Sequence, residues 1–384
     1  MRVSLEPIQA LCARLGSPER AFRAVHVAGS KGKGTTAALV AAALRTAGER
    51  VALYTSPHLE RVQERLTIDG AEVADDALAL ALERALDACE APEPLCEATW
   101  FDVLTAAAFV VVAEAGVELA VVECGLGGRL DSTNVVHGPV AAVTNVYLEH
   151  TAVLGPTRLA IAAEKAGIVK PGTTVVAGAL APDDEAAELV ERVARERGAR
   201  CVRVEHARED SLERRNRRLA RAILVELARA EPAFAGRLEL PEAAGATLPG
   251  RAERRRVGDV RVVLDGAHVP ESLELVLRDL AREPELAVPP VVVIGMGLEK
   301  NARGLLKALV GRSDRVLCSS VGEGPYRGAA ELEGFARELG LAARAVPDPA
   351  AALEEAVRVA GTGGWVLVTG SLHLVGALRR STRP

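Results

Sequence analysis

The stretch "HVAGSKGKGTTAALVAAAL", His26 to Leu44, carries residue types that can hold a phosphate. Gly29, Gly32 and Gly34 let the backbone approach an oxyanion closely. Successive N–H groups, followed by a helix start, supply partial positive charge. At that loop Lys33 reaches the β/γ-phosphates of a nucleotide, and the Thr35 hydroxyl is placed for Mg²⁺. Gly34 stands between them, where the general P-loop pattern has Ser or Thr directly after the lysine. On its own the loop indicates a nucleotide phosphate and nothing finer.

A second cluster narrows the chemistry. In "VVECGLGGRLDSTN", Glu123 closes an apolar strand, where a carboxylate can face phosphates and bind magnesium. In "TNVYLEHTAVLG", His150 follows the end of another strand, suited to a ligand or phosphate contact. In "AAEKAGIVKPG", Lys165 lies on a helix among small neighbours. A lysine there ordinarily snorkels to the surface.

The elements that must position these groups alternate along the chain. "AFRAVHVAG", "RVALYTS", "VELAVVECG", "PVAAVTNV" and "TTVVAG" read as strands. "TTAALVAAALRTAG", "DDALALALERALDACE", "TWFDVLTAAAFVVVAEAG" and "LAIAAEKAGIV" read as helices. Fully apolar strands flanked by helices predict a mostly parallel sheet covered on both faces. From about Pro182 to Arg229 the charge density rises and the pattern becomes helical. Leu238 to Gly250, "LELPEAAGATLPG", is rich in turn formers and predicts a linker. After it, "VRVVLDGAH", "PVVVIGM", "DRVLCSS" and "GWVLVTGS" restart the alternation. The expectation is therefore an α/β chain of two domains: residues 1–245 holding the P-loop, and a smaller Rossmann-like domain over residues 250–384.

Composition sets outer bounds. The chain has 384 residues, which favours two domains over one core. The net charge of -5, with both signs interspersed, speaks against nucleic acid as partner. Six cysteines at 12, 89, 96, 124, 201 and 318 include no CxxC pair, so reduced thiols are expected. The N-terminus has no apolar core of a signal peptide, and apolar runs are too short to span a bilayer. A cytoplasmic protein without membrane partner is expected, and a monomer is the default.

The segments "GSKGKGT", "YTSPHL", "ECGLGGRLDSTN", "EHTAVLG", "EKAGIVKPG", "LPGR", "DGAHVP" and "VTGSLHLVG" occur in this order from about Ala24 to Ala377. Together they resemble the dihydrofolate synthase/folylpolyglutamate synthase family of the Mur-ligase superfamily, "LGGRLDSTN" being the most discriminating. The resemblance implies an ATP-dependent ligase of folate biosynthesis and one-carbon metabolism. Such an enzyme joins L-glutamate to the carboxylate of dihydropteroate or folate through an acyl phosphate, forming ADP. It also implies roles. Gly29 and Gly32 to Thr35, with Lys33, form the triphosphate cradle. Thr35, Ser56, Glu123 and His150 ligand one or two Mg²⁺ ions. Lys165 matches a lysine carried as a carbamate, which needs a buried amine with a lowered pKa. Asn216 touches the nucleotide, and Arg251 and Asp265 belong to the part of the second domain that meets ATP. His268 lies in the same loop, where glutamate enters. Thr99, Trp100, Phe101 and Asp102, with Leu130, Asp131 and Ser132, match segments that contact the pterin. Trp100 and Phe101 suit either the walls of a flat ring site or a packed helix face.

The sequence departs from the family pattern at Val269, where Asn is usual, and at Glu149, where Asp usually precedes the histidine. The stretch between Lys165 and Asn216 is short, which predicts a trimmed outer subdomain. Other readings are another Mur-type amino-acid ligase, a catalytically silent relative, or a non-ligase P-loop nucleotide-binding protein. "LGGRLDSTN" and "YTSPHL" weigh against the first. A GTPase would carry an N/T-K-x-D tetrapeptide, which this sequence lacks.

Overall fold

A computed structural model describes residues 4–382, except 91, 92, 96, 180, 182, 208, 240–247 and 323. The chain divides into two compact units, Met1–Ala246 and Thr247–Pro384. Most of the expected linker falls on residues 240–247, outside the described residues. No helix among the described residues is long and apolar enough to cross a membrane.

The first unit is built on β1 (Arg23–Ala28), β2 (Val51–Tyr54), β3 (Leu66–Ile68), β4 (Ala71–Glu72), β5 (Leu119–Glu123), β6 (Val140–Val143), β7 (Thr174–Ala179) and β8 (Arg200–Glu205). Among the described residues they form one sheet in the order β4-β3-β2-β5-β1-β6-β7-β8. The strands from β2 to β8 run parallel, and β3 and β4 add an antiparallel edge. Strand β5 is buried along its whole length, as is β6, which follows from their Val/Ala composition and helices on both faces. The helix Lys33–Thr46 and the helix Leu212–Ala230 share one apolar cluster with β1. The helix Trp100–Glu114 fills a cluster on the opposite face, and helix Arg158–Ala166 another.

One expectation fails here. The stretch from Pro182 to Arg229 is not helical throughout, because β8 lies inside it. Its sequence, "RCVRVE", puts arginines between apolar residues and pairs on one side only, with β7. Charged edge strands are common, since charge blocks unwanted pairing. In sequence such a strand resembles the solvated helices beside it.

The second unit contains β9 (Glu253–Val257), β10 (Val260–Leu264), β11 (Val291–Ile294), β12 (Arg315–Cys318), β13 (Ala343–Ala345) and β14 (Trp365–Thr369). Their order is β13-β12-β11-β14-β10-β9 among the described residues. All neighbours are parallel except β9, an arginine-rich antiparallel edge. Both units thus carry the mostly parallel sheets of an α/β fold, whose ligands gather at the carboxyl ends of the strands.

Candidate functional site

The glycine loop joins β1 to the helix Lys33–Thr46. Gly29 has φ of 142°, and a Cβ on it would lie 2.0 Å from Thr144 Oγ1. Gly32 has φ of 80°, and its Cβ would lie 2.2 Å from Asn216 Oδ1. Left-handed backbone and close neighbours both demand glycine at these two positions. The loop is pinned from β6 outward. Thr144 Oγ1 and Asn145 Nδ2 donate to the Lys31 carbonyl at 2.6 and 2.8 Å, and Lys31 N donates to Asn145 Oδ1 at 2.9 Å. Lys33, Gly34 and Thr35 therefore open a helix in a loop held by fixed donors and acceptors, which suits phosphate.

Glu123 is the last residue of β5 and pairs in register with Val27 of β1, so its carboxylate sits beside the loop's origin. It is buried, and its Oε2 accepts from Ser56 N at 3.0 Å. Strand β2, parallel to β5, delivers Ser56. A buried carboxylate with hydroxyl residues nearby offers the oxygen donors that a small hard cation takes.

Lys165 is buried rather than snorkelled, with its Nζ 2.8 Å from Glu149 Oε1. Burial pulls its amine below the usual lysine value, and the Lys33 charge adds to this, while Glu149 opposes. Burial alone would raise the Glu149 carboxyl, but the charges of Lys165 and Lys33 outweigh it and hold Glu149 down to about 2. The Ser30 hydroxyl also bonds to Glu149. His150 adopts a left-handed conformation at the start of a short helix, and a ring nitrogen lies within 4.8 Å of the Glu149 carboxylate. Lys33, Glu149, His150 and Lys165 form one electrostatic neighbourhood.

A separate polar site lies at the start of the helix Trp100–Glu114. Thr99 caps it, and Asp102 returns to Thr99 N at 2.8 Å in a capping box. Ser132 Oγ donates to Asp102 Oδ1 at 2.6 Å, joining the two sequence segments expected around one ring. Asp131 accepts from Leu126 N at 2.7 Å and from Thr133 N at 3.0 Å. Burial pushes its carboxyl up, against these hydrogen bonds. Leu130 is half-buried on the same loop. Phe101 packs toward Tyr54, with ring centroids 6.5 Å apart, and a Cβ on Gly125 would strike both Phe101 and Asp131. Trp100 is 59% exposed and so is not core. The Arg65 guanidinium lies 5.0 Å from the Trp100 ring centroid and 6.0 Å from that of Phe101.

Asn216, on the helix Leu212–Ala230, is buried against Gly32 of the loop. In the second unit, Asp265 directly follows β10 and accepts from Ala252 N and Ala267 N, each at 2.8 Å. It thereby shapes the turn carrying Arg251, whose buried Nη1 has no partner among the described residues. His268 Nδ1 lies 2.9 Å from the Gly266 carbonyl. Val269 is buried ahead of the helix Pro270–Leu280.

Two buried groups near these segments have no counterpart in the sequence expectations. Arg65 donates from Nε to His58 Nδ1 at 2.9 Å and is buried beside the aromatic pair. His26 stands in the middle of β1 and touches Thr133 and Cys124. The signal for His26 was a lone polar residue in "AVHVA", a strand otherwise apolar on both faces, where burial requires a partner.

Residues 250–372 match the family described as Mur ligase, glutamate ligase domain. A probable bifunctional folylpolyglutamate synthase/dihydropteroate synthase of Haloferax volcanii is 44% identical over 45% of this chain and 21% of its own length. The dihydrofolate synthase/folylpolyglutamate synthase of Bacillus subtilis is 38% identical over 48% of this chain and 43% of its own. The matched part thus spans less than half the length of these two relatives. The Escherichia coli dihydrofolate synthase/folylpolyglutamate synthase is 32% identical over 97% of this chain and 90% of its own. Among solved structures, E. coli FolC in complex with DHPP and ADP superposes with a TM-score of 0.85 at 30% identity, covering 99% and 93% of the two chains. A bifunctional folylpolyglutamate synthase/dihydrofolate synthase with Mn, AMPPNP and L-glutamate bound gives 0.84 at 30% identity, covering 99% and 94%. On the nearly full-length match to the E. coli relative, together with the glycine loop and the folded elements around it, this chain belongs to the dihydrofolate synthase/folylpolyglutamate synthase family.

Proposed function

We propose that the chain is an ATP-dependent, ADP-forming ligase. It would join the amino group of L-glutamate to the carboxylate of dihydropteroate, of folate, or of both. The observation that carries this reading is the placement of Glu123 and Ser56 beside the pinned glycine loop, within a chain of this family. Residues 1–245 would be the ATP-binding Mur-ligase-like domain and residues 250–384 the glutamate-ligase domain. The protein would work as a cytoplasmic monomer, without nucleic acid or membrane partners.

A carboxylate is a poor electrophile, and phosphorylation gives it a leaving group. Lys33 and the N–H groups from Gly32 to Thr35 would draw charge from the γ-phosphoryl group as it moves. Thr35, Ser56, Glu123 and His150 would hold one or two Mg²⁺ ions, and their oxygen-rich donor set, with one imidazole, fits such a cation. Such an ion would supply charge neutralisation for the phosphoryl group being transferred. Buried Lys165, its amine lowered by burial, has the environment that carbamate formation requires. Its carbamate beside Glu149 would be a second anion facing a cation. Asn216 packs on the loop and would touch the nucleotide. Arg251, with an unpartnered buried Nη1, suits a phosphate oxygen, and Asp265 fixes its turn. His268 would lie near the entering glutamate.

The acid would be held by the polar site on the first unit. Asp102, Asp131 and Ser132 offer acceptors and a hydroxyl that match the amino and amide edges of a pterin, with Thr99, Leu130 and the Phe101 ring beside them. Trp100 would form an outer wall, its exposed ring already faced by Arg65. Phosphate release from ATP, measured with each of dihydropteroate, a reduced folate and L-glutamate omitted in turn, tests the proposal. Release that needs both an acid and glutamate is expected. Release needing neither would mean a nucleotide-hydrolysing switch.

A further inference from the structure

Behind the loop that carries Asp131 runs a buried hydrogen-bond relay. Asp131 accepts from the Thr133 hydroxyl and from Thr133 N. The Thr133 oxygen lies 2.9 Å from His26 Nε2, and His26 Nε2 lies 3.0 Å from Cys124 Sγ. All four side chains are buried. His26 lies in β1, Cys124 directly follows β5, and Asp131 caps the turn Ser132–Val135 that holds Thr133; the parallel pairing of β1 with β5 brings them together.

The donor directions follow from counting hydrogens. Thr133 has one hydroxyl hydrogen, and the Asp131 carboxylate takes it. That hydroxyl has only a long 3.6 Å contact to Cys124 Sγ besides, so its oxygen is left as an acceptor toward His26, an arrangement that puts the proton on Nε2 with Cys124 Sγ beside it as a second acceptor. His26 Nδ1 is consequently a bare acceptor, and it has no partner among the described residues. The opposite tautomer would bury an unpaired N–H and leave the Thr133 oxygen facing a lone pair. A second group braces the same turn from its far end, since Lys170 Nζ donates to the Asn134 and Val136 carbonyls.

We propose that His26 is a positioning residue for the acid substrate: as the Nε2–H tautomer it fixes the Thr133 hydroxyl, which in turn aims the Asp131 carboxylate. This rests on the reading of Asp131 as a substrate contact. In it, the relay orders the loop that carries Asp131 and does not include the glycine loop. Loss of the relay should therefore weaken acid recognition and spare the nucleotide.

The test combines kinetics with a direct view of the proton. His26→Leu and Thr133→Val each should raise KM for dihydropteroate about tenfold or more, while binding of a non-hydrolysable ATP analogue changes less than about twofold. His26→Gln, which can present a donor near Nε2, should recover part of the loss. The double variant should be no worse than the poorer single variant, as expected of one relay. Additive losses, or equal losses of nucleotide binding, would overturn the proposal. On the unmodified protein, nitrogen-15 NMR of the imidazole should report neutral His26 protonated at Nε2. Protonation at Nδ1 would overturn the relay whatever the substrate is. Wild-type protein with the expected tautomer and no acid-dependent turnover would instead sink the substrate reading and keep the relay as structure.

Discussion

Lys165 Nζ donates to Glu149 Oε1 at 2.8 Å, and the two side chains are 1% and 7% exposed. Removing one member leaves the other charge buried without its counter-ion. Lys165→Met or Glu149→Leu should each cost about 3–5 kcal/mol in urea unfolding. If Lys165 also works as a carbamate, Lys165→Ala should lose most activity and regain part of it with a short carboxylic acid added. A variant that stays inactive at every concentration of added carboxylate would argue against the carbamate.

Lys33 opens the helix after the glycine loop and is partly exposed, so it is not part of a core. Lys33→Ala should lower kcat by about a thousandfold or more while leaving the melting temperature nearly unchanged. Turnover within a few-fold of the wild type would mean that the loop does not carry the transferred phosphoryl group.

Gly32 combines φ of 80° with a Cβ position 2.2 Å from Asn216 Oδ1. Gly32→Ala should strain the backbone and displace Asn216, at about 1–3 kcal/mol. Nucleotide affinity should fall at least tenfold by calorimetry. Unchanged affinity would show that neither the loop conformation nor the Asn216 contact shapes the phosphate site.

Acid should destabilise the first unit through its buried imidazoles. Burial, with the Lys170 charge behind it, lowers His26 to about 3, and burial with nearby Arg215 lowers His206 to about 4. Between these values and the ordinary one near 6.5, the unfolded chain binds more protons than the folded one. Stability therefore rises with pH across that window. Between pH 7 and pH 5 His26 alone should account for about 2 kcal/mol. Asp131, raised by burial, works in the opposite sense, gaining stability as pH falls through its own window. Urea midpoints at pH 7 and pH 5 measure the slope, and His26→Gln should flatten it. The same slope in that variant would mean His26 is protonated in the folded protein.

The geometry of the glycine loop was legible in sequence, because Gly29 and Gly32 take backbone angles that few other residues reach between a strand and a helix start. The place of Glu123 at the buried end of β5 was legible because it closes an all-apolar strand. The burial of Lys165 was not, since its ion pair with Glu149 bridges two segments and neither spacing nor periodicity encodes it. Strands β8 and β9 escaped for a related reason: arginines on an edge strand satisfy the solvent and hide the period of two. His26 and Thr133 are 107 positions apart, and only the β1–β5 pairing and the following turn join them. Arg65 shows the limit of reading aromatics from sequence. Trp100 and Phe101 were visible as a pair, but the cation lying against both was not.

In the proposed reaction an acid is made electrophilic by phosphoryl transfer at the Lys33 loop. Incubating the enzyme with ATP, L-glutamate and dihydropteroate labelled with oxygen-18 in its carboxylate tests it most directly. Mass spectrometry of the released phosphate should find one labelled oxygen per phosphate formed. Product carrying the new amide bond, together with phosphate free of label, would contradict the account.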